Sequence, residues 1–310
     1  MTNKSSETPQ YDAVEQQLVV RGEKTAELPF YHTECEGLIL PPFMKKEQAG
    51  IYANSFNVRP RDVFIASFPK SGTNWLTYVV QQIANPIPPS QEYMSVGGAI
   101  PYMESSTLEQ LEGYPSPRYM YTHLPCHLMP HGNEQDVKYL VIARNPKDVA
   151  VSQFHFMSSF KLLDFTGSWE EFLNLFLKGR TIYGSYFDHV LAWWKHKDDD
   201  NVLFLRYEDL KKDLKGQIGV IANFLNFNHS QEELEKIAEK CTFKAMKSNP
   251  DVSTATLEQH KDKLFKKKAS LLRKGIVGDW KNHFSDEQLE KFNSWCNSHL
   301  EGTGLEFDFG

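Results

Sequence analysis

The stretch "DVFIASFPKSGTNWLTYVVQQIA", residues 62–84, constrains the fold of this chain more than any other. "DVFIAS" is too short for a buried helix and dense in β-branched and aromatic residues, so it predicts a strand. In "TNWLTYVVQQIA" the residues Trp75, Leu76, Val79, Val80 and Ile83 recur at three- and four-residue spacing and Pro86 closes the run, which predicts a helix. Between them lies a short polar loop around Gly72. A glycine turn entering a helix aims several backbone N–H groups and the positive end of the helix dipole at one spot, an anion site. Lys70 stands before the glycine. In a nucleotide triphosphatase the lysine follows the second glycine of G-x-x-x-x-G-K-[ST], a pattern this chain lacks.

The same reading extends along the chain. "RYMYT", "VKYLVIA" and "VLFLR" predict further strands, three of the four being expected inside the sheet. "SWEEFLNLFLKG", "SYFDHVLAWWKHK" and "IGVIANFLN" predict helices, with the aromatics of "AWW" and "FNSW" in the core. Two more helices open with capping boxes, Ser230 with Glu233 and Ser285 with Gln288. Strands alternating with helices imply an α/β fold, a central parallel sheet flanked by helices, with ligands at the carboxyl ends of the strands. No linker, repeat or low-complexity tract divides the 310 residues. One domain is expected over residues 31–310, preceded by a polar, flexible tail over residues 1–30.

Several residues suited to anion and proton chemistry follow predicted strands. His123 comes just after "RYMYT", where a general base would project into a cleft. Arg144, suited to a bidentate phosphate grip, follows "VKYLVIA", with Ser152 eight residues on. Arg273 and Lys274 form a second cation pair beside Gly275. His123, His127 and His131 have i, i+4, i+8 spacing, but Pro125 and Pro130 break any helix that would turn them into metal ligands. No metal is expected.

Composition narrows the partners. A net charge of -6 argues against a nucleic-acid binder, and makes the basic run "KDKLFKKKASLLRKG" a solvated loop leading into Arg273. The four cysteines, Cys35, Cys126, Cys241 and Cys296, are too far apart in sequence for a zinc pair or a disulfide framework. The first residues lack the apolar centre of a signal peptide, and no apolar run approaches the ~18 residues that span a bilayer. A cytoplasmic protein without membrane association is expected.

Taken together and in order, these segments resemble the cytosolic sulfotransferase family from about residue 36 to about residue 300. "FPKSGTNW" looks like the family's 5'-phosphosulfate loop, "RNPKDVAVSQFHF" like its 3'-phosphate segment, and "RKGIVGDWKNHF" like its C-terminal signature. "GSWEEF", "YGSYFDHVLAWW", "RYEDL" and "FKAMKSNP" agree with family landmarks. The resemblance implies a P-loop-like sulfotransferase fold. It also implies transfer of a sulfuryl group from 3'-phosphoadenosine 5'-phosphosulfate (PAPS) to a hydroxyl or amine of a small acceptor, without a metal.

By matching position, the resemblance sets Lys70 against the bridging oxygen of the phosphosulfate, with Ser71, Gly72, Thr73, Asn74 and Trp75 completing the cradle and the adenine stack. Arg144 and Ser152 grip the 3'-phosphate, joined by the segment Leu271, Leu272, Arg273, Lys274 and Gly275. Tyr207, Cys241, Thr242, Phe243 and Met246 contact the adenine, and His123 is the catalytic base. That chemistry needs these types: a cation where charge grows on the leaving oxygen, and an imidazole that collects a proton at neutral pH.

Two departures stand out. Many relatives carry a lysine where this chain has Tyr121, which leaves open a nucleotide-binding protein of weak catalytic power. A nucleotide kinase would need the missing Walker pattern. In the family's short dimer motif Lys281 and Glu290 match, whereas Ser285 and Asp286 replace a Thr-Val pair, so a monomer or weak homodimer is expected. The acceptor pocket is expected around Phe43, Pro101 to Glu104, Phe156 to Phe160 and residues 253–265, whose apolar character favours a small aromatic or alicyclic acceptor.

Overall fold

A computed structural model describes residues 22–35, 37–44, 48–87, 99–130, 137–249, 264–266 and 272–310. Strands β1 (Thr33–Cys35) and β2 (Leu38–Leu40) form a small antiparallel hairpin. The main sheet contains β3 (Val63–Ala66), β4 (Tyr119–Thr122), β5 (Lys138–Ala143) and β6 (Val202–Arg206), each within a run that predicts a strand. All three pairings are parallel and the order is β4-β3-β5-β6.

That order corrects the expectation of three inner strands, since β3 and β5 are inside and β4 and β6 are edges. All four residues of β4 are nevertheless buried. The chain from Pro101 runs along its outer side: Tyr121 N–H donates to the Pro101 carbonyl at 3.0 Å, and Tyr102 bridges Tyr121 in parallel sense. From β3 the chain passes to β4 on one side, and from β5 to β6 on the other. The crevice between the carboxyl ends of β3 and β5 is therefore the topological switch point, where open α/β sheets bind ligands.

The helices follow their apolar spacing. Thr73–Ile83 buries Leu76, Val79, Val80 and Ile83; Trp169–Leu177 and Tyr186–Trp194 match two of the predicted runs, and Leu214–Phe224 covers most of the third. Both expected capping boxes form, opening Gln231–Lys240 and Asp286–Leu300. Pro146–Ser159, with proline at its first turn and Asn145 as cap, carries the residues after β5. Trp193 is buried and Trp295 packs on Phe187 at 4.5 Å, so these aromatics are core.

At the amino ends of the strands, away from the crevice, Arg118 and Asp62 form a fully buried two-point ion pair. Arg118 also donates to the Asn57 carbonyl at 2.7 Å. From residue 22 onward the chain belongs to the folded body, in contrast to the expected tail through residue 30. Glu23 bridges His32, and Leu28 and Phe30 are buried, because these two apolar side chains gain more from the core than a solvated tail would offer them. Residues 1–21 lie outside the described residues. Among the described residues no helix is long and apolar enough to cross a membrane.

Candidate active site

All four sheet strands deliver a polar side chain to one cleft at their carboxyl ends. Lys70 stands in the loop after β3; His123, Arg144 and Tyr207 each directly follow β4, β5 and β6, and all four line the cleft. Ser152 from Pro146–Ser159, Phe243 and Met246 from the helix Phe243–Ser248, and Leu272 to Ile276 from the C-terminal segment complete that end. The cleft encloses about 1520 Å³, its open mouth included.

The loop after β3 is built as a cradle. Lys70 and Gly72 have positive φ, 71° and 113°. A β-carbon at residue 72 would stand 2.8 Å from Tyr207 Cδ2, so only glycine lets the loop rest on that ring. Gly72 caps the helix Thr73–Ile83 without a side-chain acceptor, which leaves first-turn amides to a ligand. The Ser67 and Thr73 hydroxyls meet at 2.6 Å and tie the two ends of the loop together. The Lys70 ammonium lies 5.0 Å from the Phe156 ring centre. Burial, with Arg144 and Arg273 nearby, pushes its pKa down to about 8.

His123 is oriented by its backbone neighbours. Its Nδ1 lies 2.8 Å from the Ser67 carbonyl, an acceptor only, so Nδ1 carries the proton and Nε2 keeps its lone pair. The Tyr102, Tyr121 and Tyr183 rings surround it at centroid distances of 5.5, 6.4 and 5.3 Å. Burial pushes the imidazole pKa down to about 4; the Ser67 carbonyl opposes this and the Lys70 charge adds to it. The ring is neutral at physiological pH.

A second set of cations faces the same cleft from the β5 side. Arg144 donates to the Ile276 carbonyl at 2.8 Å, approaches Asp148 at 3.3 Å and lies 4.4 Å over the Tyr207 ring. Asp148 accepts from the backbone of Gly278 and Trp280 at 2.9 and 3.0 Å, fastening the C-terminal segment to Pro146–Ser159. Arg273 and Lys274 both donate to Asp279, at 2.6 and 2.5 Å. The Nε atoms of Arg144 and Arg273 are buried without a hydrogen-bond partner. Two orphaned guanidinium N–H groups lining a cleft are what a bound phosphate would satisfy.

Of the residues assigned from sequence, Lys70, Gly72, Thr73, Asn74, Trp75, His123, Arg144, Ser152, Tyr207, Phe243, Met246, Leu272, Arg273, Lys274 and Gly275 come together along this cleft. Ser71 is buried behind the loop instead of lining it. Cys241 is also buried and its carbonyl accepts from Trp75 Nε1 at 2.8 Å, which fixes the indole, while Thr242 caps Phe243–Ser248. Leu271 lies outside the described residues, as do 253–263 of the expected acceptor pocket.

The remaining wall is apolar: Phe43, Tyr102, Phe156, Phe160 and Phe265, as expected, with Leu163, Ile182 and Tyr183 added. The sequence assigns none of these three a place in the site, although Tyr183 opens the landmark "YGSYFDHVLAWW", nor Lys211, whose ammonium lies 5.7 Å from the Trp75 ring centre. Tyr121 lines the cleft, stacked on Tyr102 at 4.8 Å. His127 is exposed in the turn Cys126–Leu128, and His131 lies outside the described residues. Among the described residues no group of His, Cys, Asp and Glu is arranged to hold a metal. Lys281 and Glu290 are both exposed, and Lys281 donates to the Gly310 carbonyl at 2.7 Å.

Fold and site together define an α/β protein with a P-loop-like anion cradle at its switch point and a second cation cluster across the same cleft. A family model described as Sulfotransferase domain matches residues 60–304, and the chain belongs to the sulfotransferase family. It is 41% identical to the dog (Canis lupus familiaris) protein Sulfotransferase 1B1, over 81% of this chain and 88% of that one. It is 36% identical to human Sulfotransferase 1C2, over 88% and 94%. Among solved structures, mouse sulfotransferase SULT7A1 complexed with PAP is similar with a TM-score of 0.73 and 35% identity, covering 86% of this chain and 94% of that one. Retinol dehydratase in complex with androsterone and inactive cofactor PAP has a TM-score of 0.76 and 27% identity, covering 96% of each.

Proposed function

We propose that this protein transfers a sulfuryl group from PAPS to the hydroxyl, or amine, of a small apolar or aromatic acceptor, with His123 as general base and Lys70 at the leaving oxygen. The carrying observation is the His123–Ser67 hydrogen bond, which leaves a neutral, unprotonated Nε2 in the same cleft as the half-buried Lys70. The donor carries its electrophilic sulfur at the tip of the 5'-phosphosulfate and a second anionic group at the 3'-phosphate. The residues suit such a molecule: the uncapped helix start at Gly72 for one end, and the unpartnered Nε atoms of Arg144 and Arg273 for the other. The retinol dehydratase complex, with PAP and a steroid together, supports the same division of this cleft.

Each residue then has one task. His123 Nε2 takes the acceptor's proton as its oxygen bonds to sulfur. Lys70 faces the bridging oxygen, where negative charge collects as the old S–O bond breaks, so its attraction is greatest in the transition state. Trp75 and Tyr207, in edge contact at 5.2 Å, offer the purine an aromatic floor. The apolar wall of Phe43, Phe156, Phe160 and Phe265 excludes water and favours an uncharged acceptor. Four free thiols fit a reducing cytoplasm, with the chain acting as a monomer or weak homodimer.

The test is transfer of labelled sulfate from PAPS to a mixed panel of phenols and alcohols. Lys70→Ala and His123→Ala are each expected to lower turnover by ~10²-fold or more, while His123→Ala still binds adenosine 3',5'-bisphosphate in calorimetry. Full activity in both variants would reject the assigned roles. Tight nucleotide binding without turnover on any acceptor would identify a binding protein.

A further inference from the structure

His123 is gripped at three polar groups, and none of the grips is part of the main-sheet ladder. The ring Nδ1 is held by the Ser67 carbonyl. The backbone carbonyl accepts from His189 Nε2 at 3.2 Å, reaching in from the helix Tyr186–Trp194. The backbone N–H donates to Glu104 Oε1 at 2.6 Å. Glu104 is 1% exposed and is absent from the cleft wall, so it reaches the site through neighbours that line it, and its direct hydrogen bond is to His123.

The local fold explains how a carboxyl reaches that N–H. After pairing with the outer side of β4 through Tyr102, the chain turns in a single 3-10 turn, Met103–Ser105. The turn carries the Glu104 side chain toward the position where β4 stops and the ladder no longer supplies an acceptor for residue 123. An N–H left unpaired there would be costly, and its carrier would be free to rotate.

We propose that Glu104 is a positioning residue for sulfuryl transfer: its carboxyl completes the ladder one residue past β4 and so fixes the direction of His123 Nε2. The assignment rests on His123 being the base. The group acts as a neutral hydrogen-bond acceptor. Burial raises its pKa to about 8, against the opposing pull of the His123 N–H and its own backbone amide. Among the described residues, the groups facing it are the His123 and Glu104 backbone amides and the hydroxyls of Thr122, Tyr183, Tyr102 and Tyr121, with no cation among them. What His123 requires of residue 104 is an sp² oxygen in place, not a negative charge.

The variants Glu104→Gln and Glu104→Leu separate those needs, since both keep the side-chain volume and only the amide keeps the acceptor. At pH 7, Glu104→Gln is expected to retain kcat within about twofold. Glu104→Leu is expected to lose ~10-fold or more of kcat, because a small displacement of a reacting group costs on that order. KM for PAPS and the affinity for adenosine 3',5'-bisphosphate should stay as in the parent protein, since the nucleotide contacts are on other strands. Equal loss in Glu104→Gln and Glu104→Leu, or a loss that appears in nucleotide affinity, would overturn the proposal. So would unchanged kcat in Glu104→Leu. His123→Ala measured alongside distinguishes the two levels: if it is inactive while Glu104→Leu is not, only the positioning role fails; if it is active, the reading of His123 fails first.

Discussion

The Nδ1 proton of His123 points at the carbonyl of Ser67, 2.8 Å away, so the first residues past two neighbouring strands set the tautomer of the proposed base. The same burial that fixes the ring keeps it neutral. With the His123 pKa near 4 and that of Lys70 near 8, the proposed catalytic pair is neutral imidazole and charged ammonium between those values.

The pH dependence follows in sign and position. In kcat/KM, which reports groups of the free enzyme, activity should rise through about pH 4 as His123 loses its proton and fall above about 8 as Lys70 loses its own. Lys70→Arg keeps its charge past pH 10, so it should push the alkaline limb upward. An acid limb at the ordinary histidine value of about 6.5 would contradict the buried ring. An alkaline limb that stays in Lys70→Arg would assign it to another group, and Glu104, with a pKa of about 8, is the nearest candidate.

A different pair sets up the opposite end of the site. Asp279 is buried and holds both Arg273 and Lys274, whose charges keep its carboxyl far below the usual carboxylate range. Asp279→Asn removes the carboxylate that holds the Arg273 and Lys274 side chains in place, and with it their fixed aim at the nucleotide. The expected result is ~10-fold weaker binding of adenosine 3',5'-bisphosphate, the scale of losing one or two charge-assisted contacts. Adenosine 5'-phosphosulfate, without a 3'-phosphate, should be little affected. Equal losses for both ligands in calorimetry would point to general damage.

How far the sequence carried this reading depended on where each contact comes from. β3, the Gly72 turn and Thr73–Ile83 were legible because short-range periodicity and one glycine specify them locally. Arg144 and His123 were legible because each follows a recognisable strand. Leu163, Ile182 and Tyr183 were not, since they reach the cleft by packing from segments whose own pattern reads only as core. Glu104 belongs to a segment expected at the acceptor pocket, but its carboxyl turns to the His123 amide, a contact across 19 residues that no local spacing encodes. The edge position of β4 escaped for the same reason: its apolar run matches an inner strand because Tyr102 covers its free side.

Gly275 offers a test of backbone shape in place of charge. Its φ is 65°, and a β-carbon there would lie 2.2 Å from Phe243 Cδ2, well inside contact distance. Gly275→Ala must therefore strain the backbone and push Phe243, which also lines the cleft, out of place. Weaker nucleotide binding is expected, with global stability lowered by ~1–3 kcal/mol. Affinity and unfolding midpoint equal to those of the parent protein would show that the segment yields without cost.

The Arg118–Asp62 pair predicts the opposite separation, stability without affinity. Both side chains are fully buried, at the amino ends of β3 and β4 and away from the ligand cleft. Removing one partner strands the other charge in a low-dielectric core, which typically costs ~3–5 kcal/mol, whereas replacing both with apolar residues of similar size costs far less. Arg118→Met alone should lower the unfolding free energy by that amount, and adding Asp62→Leu should recover part of it. The Asn57 carbonyl, which Arg118 now satisfies, limits how complete the recovery can be. Because β3 and β4 also carry Lys70 and His123, the native fraction of Arg118→Met should keep its nucleotide affinity and lose only its margin against denaturant. A double variant less stable than Arg118→Met would mean that the pair is more than a compensated burial of charge.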